Sequence, residues 1–77
     1  MEALILSILS AMVDAPDEVS VSRKQSLYGL SIYEAKVAKH DTGKIIGKKG
    51  RNAAAIRTII DAASKKNKER AIFEILE

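Results

Sequence analysis

The sequence predicts an α+β domain with the element order helix, strand, strand, helix, helix, strand. Apolar residues recur at helical spacing near the start and again after residue 50, whereas two middle segments and the last one alternate apolar with polar residues. A glycine-rich loop separates the two later helices. With 77 residues, of which 47% are hydrophobic, the chain can form one small core, so we expect a single domain over residues 1–77.

The first helix is predicted over residues 2–13. Five apolar residues recur there at helical spacing: Leu4, Ile5, Ile8, Leu9 and Met12. Leu6 and Val13 widen this face to an arc of about 200°, which is more than a single buried stripe requires. The helix must end before Pro16, because the residue that precedes a proline is disfavoured in the α region.

The segment after Pro16 is predicted to be the first strand. Val19 and Val21 alternate with serines over residues 18–24, which is typical of a half-buried strand. Residues 25–29 form the predicted turn into the second strand. Because a short turn makes consecutive strands neighbours, we expect the two strands to pair as an antiparallel hairpin.

The second and the last strands supply the predicted core of the sheet. The second strand runs over residues 30–38, and we expect its face with Tyr33, Ala35 and Val37 to point inward, because the opposite face is charged. The last strand is predicted near the end of the chain, where successive side chains alternate between an inward and an outward face. Phe73 within it is the best aromatic core candidate among the three aromatic residues of the chain.

The two later helices meet at the loop Gly47-Lys48-Lys49-Gly50. The first of them is barely more than one turn long, with Asp41 or Thr42 as its predicted cap, and it ends at Gly47. We expect a positive φ at Gly47, which glycine adopts at low cost. The second helix begins at Gly50 or Arg51 and turns an apolar face inward, formed by Ala53, Ile56, Ile59, Ile60 and Ala63.

Positive charge is concentrated at this loop. The chain has a net charge of +3, but residues 42–60 hold five basic residues and no acidic one, so the rest of the chain carries −2. The five are Lys44, Lys48, Lys49, Arg51 and Arg57. Glycines without a Cβ let a backbone approach closely, while the cations and the N-terminus of the following helix attract an anion. The sequence therefore predicts a phosphate-binding loop for a polyanion.

The residues of this loop also carry a family resemblance. The segment from Ile45 to Gly50, followed by apolar Ala53 and Ile56, resembles the hydrophobic-Gly-x-x-Gly signature of KH domains, which bind about four nucleotides of single-stranded RNA or DNA. The element order along the whole chain is similar to the type II KH topology of small bacterial RNA-binding proteins of the KhpA kind. The resemblance implies a three-stranded antiparallel sheet covered on one face by three helices.

The resemblance further implies single-stranded RNA binding by a cytoplasmic bacterial protein that acts as an RNA chaperone or post-transcriptional regulator. With the basic residues around the signature added for their charge, the expected RNA-binding residues are Lys44, Ile46, Gly47, Lys48, Lys49, Gly50, Arg51 and Arg57. Ile46, with Ile45 and Ile56, would form an aliphatic floor for bases. The family also implies a homodimer or a heterodimer with another KH-containing protein. The wide apolar arc of the first helix offers Leu6 or Val13 for such a contact, and the two-faced strands offer Ile32 and Ile72, unless the sheet and neighbouring helices bury this arc within the monomer.

Two other functions stay open at this point. The chain could be a protein interaction module whose basic loop is incidental, or a helix-turn-helix-like corner that binds duplex DNA. Other classes of protein are disfavoured. A P-loop would need four residues between its glycines and a Ser or Thr after its lysine. With no cysteine and a single histidine, we expect no catalytic relay, no metal site and no cofactor, and no apolar run is long enough to span a membrane.

Overall fold

The computed structural model describes residues 1–76 of the chain. Its helices and strands are α1 (Glu2–Met12), β1 (Ser20–Gln25), β2 (Leu30–Lys36), α2 (Thr42–Ile46), α3 (Arg51–Lys66) and β3 (Arg70–Leu76). Three single 3₁₀ turns lie between them, at Pro16–Glu18, Lys39–Asp41 and Lys48–Gly50. The order of helices and strands is the predicted one. Within residues 1–76, no helix is both long and apolar enough to cross a membrane.

The three strands form one mixed sheet in the order β1-β2-β3. β1 pairs antiparallel with β2, as predicted, whereas β3 runs parallel to β2, with Leu30 beside Arg70 and Lys36 beside Leu76. The expectation of a wholly antiparallel sheet is therefore wrong for one pairing. The cause is α3, whose 16 residues rise about 24 Å, close to the roughly 23 Å of a seven-residue strand. This helix returns the chain to the end of the sheet where β2 begins.

The inner face of the sheet packs against all three helices. Tyr33 and Ala35 of β2 and Phe73 of β3 are buried there, which confirms the predicted faces of both strands. The helices contribute Ile5, Leu9, Ile45, Ile56 and Ile60 to the same cluster. The outer face stays accessible, since Ile72 is 42% exposed on it. One core thus joins α1, the sheet and the two helices that flank the glycine loop.

Element boundaries differ from the predicted ones in three places. β1 begins at Ser20 because residues 16–18 form a 3₁₀ turn, and β2 ends at Lys36, two residues early. α3 continues through Ser64 to Lys66, although the polar and basic residues 64–68 favour a loop there. The hydroxyl of Ser64 donates to the carbonyl oxygen of Ile60 at 2.6 Å, so the buried serine finds its partner inside the helix rather than ending it.

Candidate nucleic-acid interface

The backbone of the loop between α2 and α3 turns through three residues with positive φ. Gly47 has φ 75° and ψ 172°, a combination that is essentially restricted to glycine. Gly50 is left-handed at φ 73° and ψ 16°, and so is Lys49 at φ 57° and ψ 26°. The predicted positive φ at Gly47 is confirmed. A non-glycine residue in the left-handed region costs about 1–2 kcal/mol, so the surrounding structure holds Lys49 in a strained turn.

Asn52, in the first turn of α3, braces this loop. Its side-chain amide donates from Nδ2 to the carbonyl oxygen of Lys44 at 2.7 Å and so ties α3 to α2. A Cβ built on Gly47 would lie 2.6 Å from Cγ of Asn52, too close for any side chain. The sequence pattern alone predicts no role for Asn52. The available signal was its amide near a helix N-terminus, where asparagine often bonds to nearby backbone.

Three cations surround the loop without an ion-pair partner. Lys48, Lys49 and Arg51 are all exposed, and none of them forms a salt bridge within residues 1–76. The first turn of α3 has no side-chain cap in the same part of the chain, although the backbone N–H of Arg51 donates to the carbonyl oxygen of Lys48. The unpaired cations and the positive end of the helix dipole therefore favour an anion at the same place.

Lys44 is directed away from this group of cations. Its ammonium donates to the Asp14 carboxylate and lies 3.8 Å from Oδ1 of Asp41. The hydrogen bond to Asp14 raises the pKa of Lys44, and the negative charges of Asp14 and Asp41 raise it further against the opposing effect of burial. Lys44 thus stays charged, but two carboxylates already compensate its charge.

Asp41 anchors the end of α1 to the start of α2. Its buried carboxylate accepts hydrogen bonds from the backbone N–H groups of Asp14 at 3.1 Å and Ala15 at 3.0 Å. Burial alone would raise the pKa of Asp41, but these two hydrogen bonds and the charges of His40 and Lys44 outweigh it, so the pKa is lowered. The predicted cap on α2 is wrong for Asp41, which makes no cap hydrogen bond because its oxygens serve the end of α1.

The same cluster has the outline of a cation site. One ligand atom each from Asp14, His40 and Asp41 lies within 4.8 Å of the others. However, the ammonium of Lys44 already contacts the Asp14 carboxylate and lies near Asp41, and backbone N–H groups use both oxygens of Asp41. A metal ion would have to displace these interactions. We therefore interpret the cluster as a structural junction.

The predicted aliphatic floor is reduced to one residue. Ile45 and Ile56 are buried in the core, at 0% and 2% exposure, so only half-buried Ile46 is accessible beside the loop. Arg57 lies further along α3, where it lines a cleft of about 180 Å³ between α3 and β3 together with Phe73. This cleft follows the α3–β3 edge and is lined by none of the residues of the glycine loop.

A glycine-bounded loop between two helices, packed on a three-stranded sheet in this order, defines a KH domain. Residues 2–75 match the family described as KhpA/KhpB, KH domain, and the chain belongs to this family. A relative from Clostridium acetobutylicum, named RNA-binding protein KhpA, is 47% identical over 99% of this chain and 100% of its own. The proteins of that name from Listeria monocytogenes and Bacillus subtilis are 43% and 40% identical over 100% of this chain and 100% and 94% of theirs.

Solved structures of Era show the same fold at low identity. One is Era in complex with MgGDPNP and nucleotides 1506-1542 of 16S ribosomal RNA, and another is an Aquifex aeolicus Era variant bound to GDP.AlF4-. Each superposes with a TM-score of 0.61 over 96% of this chain at 13% identity. The chain covers 28% of the Era chain, so the likeness concerns the fold of one part of Era.

Proposed function

We propose that this protein binds single-stranded RNA through Gly47-Lys48-Lys49-Gly50 and Arg51, and acts in the bacterial cytoplasm as an RNA chaperone or post-transcriptional regulator rather than as an enzyme. The observation that carries the proposal is the loop itself, in which positive-φ glycines expose the main chain between three cations that have no acidic partner within residues 1–76. Such a surface fits a sugar-phosphate backbone.

The names of the relatives support RNA as the ligand. Those from Clostridium, Listeria and Bacillus are named RNA-binding proteins. A single RNA strand also suits the loop better than duplex DNA does. α2 has only five residues, too few to brace a recognition helix in a major groove. Ile46 beside the loop offers apolar contact to an unpaired base, whereas Lys44 and Arg57 are secondary candidates because their side chains lie toward other groups.

Removal of the two lysines in the loop tests the proposal. Replacement of Lys48 and Lys49 by Gln should weaken binding of a five-nucleotide RNA at least about tenfold and lower the salt slope by about 1.4, because each lost phosphate contact removes about 0.7. The melting temperature should stay unchanged, since both side chains are exposed. Affinity is measured by fluorescence anisotropy at several salt concentrations.

The matched control removes two cations elsewhere. Lys24→Gln with Lys36→Gln lowers the net charge equally on the opposite, outer face of the sheet, and should leave the affinity near that of the wild type. If both double variants lose the same RNA affinity, the loss is an effect of net charge and not of the loop. Unchanged affinity in the loop variant would overturn the proposal and favour a protein interaction module.

We also propose that the protein associates with a second copy or with another KH-containing protein. Leu6 on α1 and Ile72 on β3 are each 42% exposed, and Ile72 lies beside half-buried Ile32 on the outer face of the sheet. Val13 is half-buried and has less surface to offer. Sedimentation over a wide concentration range tests self-association. If Ile72→Glu dissociates a dimer and Leu6→Glu does not, the dimer interface lies on the outer face of the sheet. A constant monomer mass would exclude the homodimer.

A further inference from the structure

A second group of cations lies at the opposite end of α3 from the glycine loop. The last turn of the helix and the start of β3 carry Lys65, Lys66, Lys68 and Arg70, and none of the four forms a salt bridge within residues 1–76. The acidic residue among them, Glu69, accepts a hydrogen bond from the hydroxyl of Tyr33 and lies 3.6 Å from Nε of Arg23. Its charge is therefore already compensated.

The contacts of Glu69 also fix this group of cations in place. The backbone N–H of Glu69 donates to the carbonyl oxygen of Ser64 at 2.8 Å, and its side chain reaches β2 and β1. The hydrogen bond from Tyr33 lowers the pKa of Glu69, together with one from Ser31 and against the effect of burial. The loop between α3 and β3 is thus tied to α3 by the backbone of Glu69 and to the sheet by its side chain, so the cations project from a defined backbone.

An aromatic residue projects from the hairpin turn at this end of the sheet. Tyr28 is 89% exposed and Leu27 is 100% exposed, whereas the other two aromatic residues of the chain are buried. The turn that carries them is ordered, because the hydroxyl of Ser26 accepts hydrogen bonds from the N–H groups of Tyr28 at 3.3 Å and Leu30 at 3.1 Å. Proteins that bind single-stranded nucleic acids use exposed aromatic rings to stack the bases and nearby cations to contact the phosphates.

The register of the sheet places this turn next to the cations. Leu30 follows the turn directly and pairs with Arg70, so the turn and the α3–β3 loop lie at the same end of the sheet. Between α3 and β3 at this end lies a cleft of about 440 Å³. Its lining is apolar at Leu30 and Ile72 and positive at Lys65 and Arg70. Asp61 and Glu69 also line it, but the Glu69 carboxylate is already engaged by Tyr33 and Arg23.

This cleft continues toward the glycine loop. Asp61, Ala71 and Ile72 line both it and the smaller cleft that contains Arg57. The two clefts form one groove that borders α3 from Arg57 to Lys65, which is about 12 Å, or half the length of the helix. The glycine loop lies beyond the Arg57 end of this groove, so a strand of about four nucleotides bound at the loop would not fill it.

We propose that the RNA strand bound at the glycine loop continues along the α3–β3 groove to this second group of cations, where Lys65, Lys66, Lys68 and Arg70 bind its phosphates and Tyr28 stacks on a base. This inference rests on the proposed function and adds a second site to it. The protein then has a footprint well beyond four nucleotides, and the far site gives affinity without sequence preference, since every base has a face to stack.

The test compares RNA lengths on the same protein. Wild-type protein, in excess over uridine-rich RNA of 5 or 12 nucleotides, should show a salt slope steeper by about 2 for the longer RNA, because three or more further phosphates are contacted at about 0.7 each. Replacement of Lys65, Lys66 and Lys68 by Gln should erase this difference in slope. Replacement of the same residues by Arg should retain it, since the charge remains.

The aromatic contact has its own matched pair. Tyr28→Ser should weaken binding of the longer RNA about tenfold, the effect of one lost base stack, whereas Leu27→Ser in the same turn should have no effect. Equal losses for the two variants would overturn the stacking assignment. Equal salt slopes for the two RNA lengths in the wild type would overturn the second site while the glycine loop stands. The proposed function itself fails separately, if Lys48→Gln with Lys49→Gln leaves binding of the five-nucleotide RNA unchanged.

Discussion

The two regions that flank α2 use their charges in opposite ways. At its C-terminal end, Lys48 and Lys49 sit on a strained turn and have no acidic partner within residues 1–76. At its N-terminal end, Lys44 contacts Asp14, and buried Asp41 has backbone and charged partners. All three lysines contribute equally to the net charge of the chain. A lysine that has no acidic partner is free to contact an RNA phosphate, whereas a lysine already paired with a carboxylate is not. The first region is therefore suited to binding and the second to stabilising the fold.

The largest expected effect concerns the backbone of the binding region. Gly47→Ala should destabilise the domain by at least about 2 kcal/mol, because the residue keeps an unfavourable φ and its Cβ collides with Asn52. The melting temperature should fall by roughly 8–16 °C in a domain of this size. Gly43→Ala is the matched control, since its Cβ meets no described atom within 4 Å and α2 should gain up to about 1 kcal/mol. Similar melting temperatures for the two variants would contradict the geometry of the loop.

The junction region should contribute to the acid sensitivity of the fold. Because the folded-state pKa of Asp41 lies below its ordinary value near 3.8, its charge stabilises the fold above that value, and the contribution is lost as the pH falls through the folded-state pKa. Asp41→Asn should lower the melting temperature at pH 7 and flatten its decline below about pH 4. Exposed Asp17→Asn removes the same charge as a control. An acid profile that is unchanged in Asp41→Asn would remove Asp41 from this role.

The smallest expected effect comes from releasing Lys44 from its ion pair in the junction region, so that it can contribute to the binding region. Asp14→Asn releases the ammonium of Lys44 from an exposed ion pair, which is worth about 0–1 kcal/mol, so RNA affinity should rise by no more than about fivefold. The salt slope should increase by about 0.7 if Lys44 then reaches a phosphate. Adding Lys44→Gln to this variant should remove the gain. A gain that persists in the double variant would come from the lost negative charge alone.

Local patterns in the sequence predict the loop well. The spacing of Gly47 and Gly50 after two isoleucines is sufficient for a positive φ and for the helix boundary, because both properties depend on adjacent residues. The alternation around Tyr33 and Phe73 likewise identifies the buried faces of β2 and β3. These features are encoded within a few residues of where they occur.

Long-range features are not available from such patterns. Alternation is the same in parallel and antiparallel strands, so the direction of β3 depends on how far α3 carries the chain. Asp41 bonds to backbone groups 26 and 27 residues away, and neither partner leaves a local signal at Asp41. Asp14, the partner of Lys44, is still further along the chain, 30 residues away. The sequence therefore predicts which residues are charged, but not which charges are already paired.

The parallel pairing of β3 has a consequence for how the chain folds during synthesis. The β1–β2 hairpin is local and forms early, but β2 gains its second neighbour only when residues 70–76 are available, after a crossover that contains α2 and α3. Until then one edge of β2 has no strand beside it, and Phe73 is missing from the core. We therefore expect a nascent chain that lacks residues 70–76 to have an open strand edge, and pairing with β3 to protect that edge from aggregation.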